Sequence, residues 1–257
     1  MELTGWMWAV GGVGAFIVGL SKTGIPGLGI LCVALFAVVY PTFNSVGIIL
    51  PLLIVGDFLA VGLYRRHAAW AHLWRLFPWT ASGVVAGWAA IHRMPREWVG
   101  PLIGGILLAL IAVHVVRERR AETKGPVEGD DGPPAEVGHG PLFTPAMGIL
   151  AGFTTMTANA AGPIMILYLL AMRLPKMEFV GTTAWFFMLL NLFKVPFSVD
   201  AGMIDADSFS VTLHLAAFVG LGSVAGRALL PRIDQAWFER IALWLTPMAA
   251  IYLFFKK

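Results

Sequence analysis

Long apolar runs are the feature that most restricts what this chain can fold into. Six runs lie at residues 46–64, 73–91, 98–116, 179–199, 209–226 and 237–255, and each is about long enough to cross a bilayer as a helix. Strands of a membrane barrel would be about half that length and would alternate apolar with polar residues. The runs therefore predict an all-α polytopic membrane protein. The composition agrees, since 58% of the residues are hydrophobic and only 13% are charged.

A charged segment rich in Gly and Pro divides the chain near its middle, at residues 117–141. Such a composition is typical of a flexible linker, because it contains little apolar surface to bury. We therefore predict a first transmembrane repeat at 1–116, a linker at 117–141 and a second transmembrane repeat at 142–257.

The two halves resemble each other weakly. Gly19 and Gly29 in the first half have the same spacing as Gly152 and Gly162 in the second. Each half contains a broken pair of apolar runs followed by three full-length spans. An odd number of further spans makes the second half start on the opposite side of the membrane, so the pattern predicts two inverted repeats.

The second run of each broken pair is short, at residues 27–40 and 160–172. Each would form about 20 Å of helix against a hydrocarbon core of about 30 Å, and the pattern leaves open whether the pair spans or re-enters. The breaks before these runs read SKTGIPG, at 21–27, and TTMTANAAGP, at 154–163. If the short helices begin there, their N-termini point into the protein, which suits an anion.

The residues of the two breaks supply hydrogen-bond donors, one positive charge and close backbone approach. The candidate substrate-binding residues are Ser21, Lys22, Thr23, Gly24, Gly27, Gly29, Thr154, Thr155, Thr157 and Asn159. The alternative is that Lys22 snorkels from an ordinary turn and that the hydroxyls satisfy freed backbone groups.

Polar residues also occur inside the full-length spans. Asp57, in the middle of an apolar span, is a candidate proton carrier or a structural hydrogen-bonding partner. Asn191 is its counterpart in the second half and fits a midplane polar contact. Lys194 is expected to snorkel towards the outer end of its span, and His214 is expected to be a structural hydrogen-bonding group.

The positions of Lys and Arg predict the orientation. Most of those near span ends fall on one side together with the linker, which places the linker in the cytoplasm and both termini outside. The spacing of His, Cys, Asp and Glu matches no metal motif, so we expect no metal and no cofactor.

Three stretches carry a resemblance to a known family. AFIVGLSKTGIPGLGI, its partial echo GILAGFTTMTANAAGPIMILYLL, and LPKMEFVGTTAWFFMLLNLFKVPF resemble the sulfite exporter TauE/SafE family, also called the TSUP family. The resemblance covers the chain outside the linker. It implies a multi-pass transporter of the inner (cytoplasmic) membrane that moves sulfite, an organosulfonate or a related sulfur-containing anion. Ala160 and Ala161 stand where the family has more glycine.

The leading hypothesis is a secondary transporter, acting as an exporter, with the anion bound between the two breaks. The alternatives are an intramembrane enzyme that uses Asp57 or His214, and an anion channel. No Gly-x-Ser-x-Gly or His-Glu-x-x-His motif is present, so we expect no enzyme. The expected partners are the anion and the lipid bilayer, without nucleic acid. Proton coupling and a homo-oligomer are both compatible with the sequence.

Overall fold

The structure is a computed structural model that describes residues 4–25, 27–29, 32–33, 35–36, 42–93, 105, 141–204, 206–234, 237 and 240. These residues form seven α-helices and no strand. The helices are α1 (Gly5–Thr23), α2 (Thr42–Tyr64), α3 (Trp70–Ile91), α4 (Phe143–Ala158), α5 (Ala161–Ala171), α6 (Lys176–Asp200) and α7 (Ala206–Leu229). Short 3₁₀ turns follow α2 and α7.

Four of the six predicted spans lie inside helices of the structure, namely α2, α3, α6 and α7. Three helical segments are long and apolar enough to cross a membrane, at Gly47–His67, Lys176–Asp200 and Phe209–Arg232. The predicted spans at 98–116 and 237–255, and all but the last residue of the linker, fall outside the described residues apart from isolated positions. The prediction of an all-helical membrane protein is confirmed.

The short apolar run of the second half, at residues 160–172, forms a short helix, as predicted. Helix α5 has 11 residues, and its core side chains are buried among α3, α4 and α6. Most of the corresponding run in the first half, residues 27–40, lies outside the described residues. A second apolar core joins α1, α2 and α7.

Two pairs of helices, α1 with α7 and α3 with α4, pack closely through glycine. A Cβ added to Gly19 would collide with the Val219 carbonyl oxygen and lie 3.0 Å from Gly222. A Cβ added to Gly152 would collide with the Thr80 carbonyl oxygen and lie 2.9 Å from Gly83. Small residues at such crossings let backbones approach and pack tightly in the absence of water. These crossings bring the C-terminal ends of α1 and α4, where the two breaks begin, into the packed interior.

Candidate functional site

Helix α1 ends at Thr23, inside the first break. The N–H groups of Gly24 and Ile25 both donate to the Leu20 carbonyl oxygen, at 2.9 and 3.2 Å, and this closes the last turn. The chain then turns through Gly27, whose φ of 90° favours glycine because an L side chain would clash with its own backbone. The Thr23 carbonyl oxygen at the end of α1 accepts a hydrogen bond from the Tyr64 hydroxyl at 2.7 Å, so the helix end is also held from α2.

The second break is held by Asn159, which ends α4 in the left-handed conformation with a φ of 53°. Its N–H donates to the Thr155 carbonyl oxygen at 3.0 Å. Asparagine is one of the few residues that accept this conformation at a helix end. Helix α5 starts two residues later, with Gly162 and Pro163 in its first turn, where the missing N–H of proline costs no helical bond.

A cavity with an empty volume of about 880 Å³, including its mouth, lies between the two breaks. It brings together eight of the twelve polar or glycine positions singled out by the sequence. These are Ser21, Lys22, Gly24, Gly27, Gly29, Thr155, Asn159 and Asn191. The N-terminal turn of α5 also contributes Gly162 and Pro163, and a Cβ added to Gly162 would meet none of the described residues within 4 Å. The rest of the lining is largely apolar and includes Phe179, Val180 and Phe187.

A buried polar cluster connects the first break to α2 and α6. The Lys22 ammonium forms an ion pair with Asp57, with 2.6 Å between Nζ and Oδ1, and it also lies 4.2 Å above the centre of the Phe187 ring. The Asn191 side-chain nitrogen donates to Asp57 Oδ2 at 2.6 Å. The side chains are 10% exposed for Lys22 and 0% for Asp57. Asp57 is thus bound to both a charge and an amide.

Lys194 is where the sequence-based expectation was wrong. Its side chain is only 1% exposed, so it does not snorkel to the surface. The ammonium donates to both the carbonyl and the hydroxyl oxygen of Thr155, each at 3.1 Å, and to the Asn159 side-chain oxygen. Lys194 therefore clamps the second break at the C-terminus of α4, where a cation is favourable for the helix dipole. The sequence could have indicated this inward position, because Lys194 lies three residues after Asn191 and therefore on the same face of α6.

Three of the predicted hydroxyl donors lie away from the cavity. The Thr23 hydroxyl lies 2.8 Å from the Ser223 carbonyl oxygen and 3.0 Å from that of Gly19. The hydroxyls of Thr154 and Thr157 donate to carbonyl oxygens one turn earlier in α4, at 2.8 and 2.9 Å. Such bonds satisfy a hydroxyl within its own helix or against its neighbour.

His214 lies on the exposed side of α7, away from the cavity. Its Nδ1 lies 2.8 Å from the Ser210 carbonyl oxygen, and its ring packs edge-on against Trp8. Among the described residues, no three His, Cys, Asp or Glu side chains are grouped so that they could hold a metal ion.

The described residues form only helices, three of them apolar and long enough to cross a membrane, and a cavity with polar residues lies between two helix breaks. This is the architecture of a membrane transporter. Residues 8–253 match the sulfite exporter TauE/SafE family, and the chain belongs to that family. No curated protein and no solved structure matches the chain. The family consists of transporters and not of enzymes, and membership indicates transport of sulfite or a related sulfur-containing anion across a membrane.

Proposed function

We propose that this protein binds a sulfur-containing oxyanion in the cavity between the two breaks and exports it across the cytoplasmic membrane. The observation that carries the proposal is that one cavity collects residues from both breaks, which are far apart in sequence. A short helix starts at the second break, and free N–H groups of a helix N-terminus suit an anion.

The cavity residues divide the binding task according to their chemistry. Lys22 supplies charge, while Ser21, Thr155 and Asn159 supply donors for the oxygens of the anion. The Thr155 oxygen accepts a bond from Lys194, which leaves the hydroxyl proton of Thr155 to donate. Gly27 and Gly29 allow the backbone to approach the ligand. The space beside Gly24 is taken by the backbone of Gly226, so we assign Gly24 to the packing of α1 against α7. We assign the hydroxyls of Thr23, Thr154 and Thr157 to stabilising the backbone around the cavity.

An inverted duplication is the architecture that we propose for this site. Gly19 packs against Gly222 of the second half, and Gly152, the counterpart of Gly19, packs against Gly83 of the first half. Two repeats of opposite orientation would bring one break to the midplane from each side of the membrane. The linker would then lie in the cytoplasm and both termini outside, as the distribution of Lys and Arg predicts.

The direction of transport follows from the membrane potential if the anion moves alone. An inside-negative potential favours outward movement of a monovalent anion by about 2.3 kcal/mol per 100 mV. No nucleotide-hydrolysing partner is then required for export.

Coupling to protons is a second candidate, and the ion pair between Lys22 and Asp57 favours it. A proton on Asp57 would remove the negative charge that competes with the anion for Lys22. The proton and the anion would then bind together, and their movement would follow the pH gradient in place of the potential.

Flux into and out of proteoliposomes tests the proposal. The panel contains sulfite, thiosulfate, sulfate, sulfoacetate and taurine, and a potassium diffusion potential and a pH gradient are imposed separately. We expect saturable flux with counterflow for at least one of these compounds, loss of that flux in Lys22→Ala, and partial retention in Lys22→Arg. Undiminished flux in folded Lys22→Ala would refute the assignment of Lys22, and flux without counterflow would indicate a channel.

A further inference from the structure

Asn191 has one unusual atom, its side-chain oxygen. The side chain is 1% exposed, and within the part of the chain that the structure describes this oxygen accepts no hydrogen bond. A buried amide oxygen without a partner is costly, because it has lost its water and gained nothing in return. Asn191 lines the cavity, so a bound molecule can supply the missing donor.

The orientation of the Asn191 amide is determined by its neighbour. An ionised carboxylate only accepts hydrogen bonds, so the group that faces Asp57 Oδ2 at 2.6 Å must be the amide nitrogen. The ion pair of Asp57 with Lys22 keeps that carboxylate in place. The amide oxygen is therefore directed away from Asp57, and an amide flip would bring two acceptors together.

The remaining polar atoms of the cavity suit the anionic group itself. Lys22, Ser21 and the first turn of α5 can donate to sulfonate or sulfite oxygens, whereas the Asn191 oxygen would repel them. Lys22 and Asn191 contact the two oxygens of one carboxylate, so they lie within the length of a small molecule. A ligand with an anionic group at one end and a donor at the other satisfies both.

We infer that the cavity selects sulfonates that also carry a hydroxyl or ammonium donor, which Asn191 recognises through its side-chain oxygen. This inference rests on the proposed function, since it concerns the same site. A site built to bond a ligand hydroxyl discriminates against the analogue that lacks it, because the polar group of the protein is then left unpaired.

Two small sulfonates of equal charge provide the test. Isethionate, 2-hydroxyethanesulfonate, carries a hydroxyl, and ethanesulfonate is the same molecule without it. In proteoliposomes with the wild-type chain we expect kcat/KM for isethionate to exceed that for ethanesulfonate about 10-fold or more. A wild-type ratio near one overturns the inference without any variant.

Variants of α6 then locate the discrimination. Asn191→Leu should bring the ratio of the two kcat/KM values to within about 2-fold of one, mainly by lowering the value for isethionate. The lost bond to Asp57 affects both sulfonates alike, so it does not change the ratio. Asn191→Gln, which retains the amide, should keep part of the preference. Ser198→Ala is the matched control, since Ser198 is a buried residue of the same helix whose hydroxyl has no partner among the described residues and which does not line the cavity. Its ratio should equal that of the wild type.

The outcomes separate the two proposals. Sulfite flux with transport of neither sulfonate, or an unchanged ratio in folded Asn191→Leu, would overturn the inference and leave the proposed function standing. Absence of saturable flux for every sulfur anion tested would overturn the proposed function itself.

Discussion

The ion pair between Lys22 and Asp57 makes a quantitative prediction about stability. The two side chains are 10% and 0% exposed, and 2.6 Å separates Nζ from Oδ1. Removing one partner of such a pair costs about 3–5 kcal/mol of unfolding free energy, since the other charge stays buried without compensation. Replacing both partners with apolar residues of similar volume is expected to be nearly neutral.

The two single variants should differ in cost. Lys22→Met leaves the carboxylate fully buried with the Asn191 nitrogen as its hydrogen-bond donor. Asp57→Leu leaves an ammonium that lines the cavity and lies above the Phe187 ring, which stabilises a cation. We therefore expect Lys22→Met to be the more destabilising of the two.

Unfolding of the purified protein in detergent micelles, followed by tryptophan fluorescence, measures these free energies. The double variant Lys22→Met/Asp57→Leu should be more stable than the sum of the single effects by about 3 kcal/mol or more. The double variant Asp57→Leu/Arg65→Met is the control for this non-additivity, because the Arg65 side chain is exposed on the turn after α2. Additivity of Lys22→Met and Asp57→Leu within about 0.5 kcal/mol would show that the two charges do not interact.

Three further predictions follow from the packing and the hydrogen bonds. Gly152→Val should lower the free energy of unfolding by about 1–3 kcal/mol or more, because the new side chain collides with a neighbouring backbone. Gly62→Ala, where an added Cβ would meet no described residue within 4 Å, should change it by less than about 1 kcal/mol, and the same micelle assay measures both. Lys194→Met should reduce sulfite flux about 10-fold or more, because Asn159 loses the hydrogen bond from the Lys194 ammonium. Lys194→Arg should restore part of the flux, and normal flux in Lys194→Met would contradict a role of this bond in transport. Thr157→Val should leave sulfite flux within about 2-fold of the wild type, since its hydroxyl donates to its own helix; a large loss would instead make it a ligand contact.

The helices and the breaks could be predicted from the sequence because their causes are local. An apolar run of about 20 residues can satisfy its backbone in lipid only as a helix, and the runs that became α2, α6 and α7 are recognisable for that reason. The breaks could be predicted equally well, since Gly24, Gly27 and Asn159 are residues suited to helix ends and turns. Six of the selected positions lie around one cavity because those two breaks meet there, and Gly29 and Asn191 join them.

The partners of the charged and polar side chains depended on which helices became neighbours. Sequence alone placed Lys194 at the surface, but α6 packs so that its ammonium reaches Thr155 and Asn159. In the same way, Asp57 acquired Lys22 and Asn191 from two other helices. The amino-acid sequence by itself determined the helices, the breaks and the membrane environment, because backbone and solvent requirements act within a segment. The tertiary structure alone decided which buried charges and amides are satisfied and that the Asn191 side-chain oxygen has no donor among the described residues, since a hydrogen bond depends on atoms that only packing brings within about 3 Å of each other.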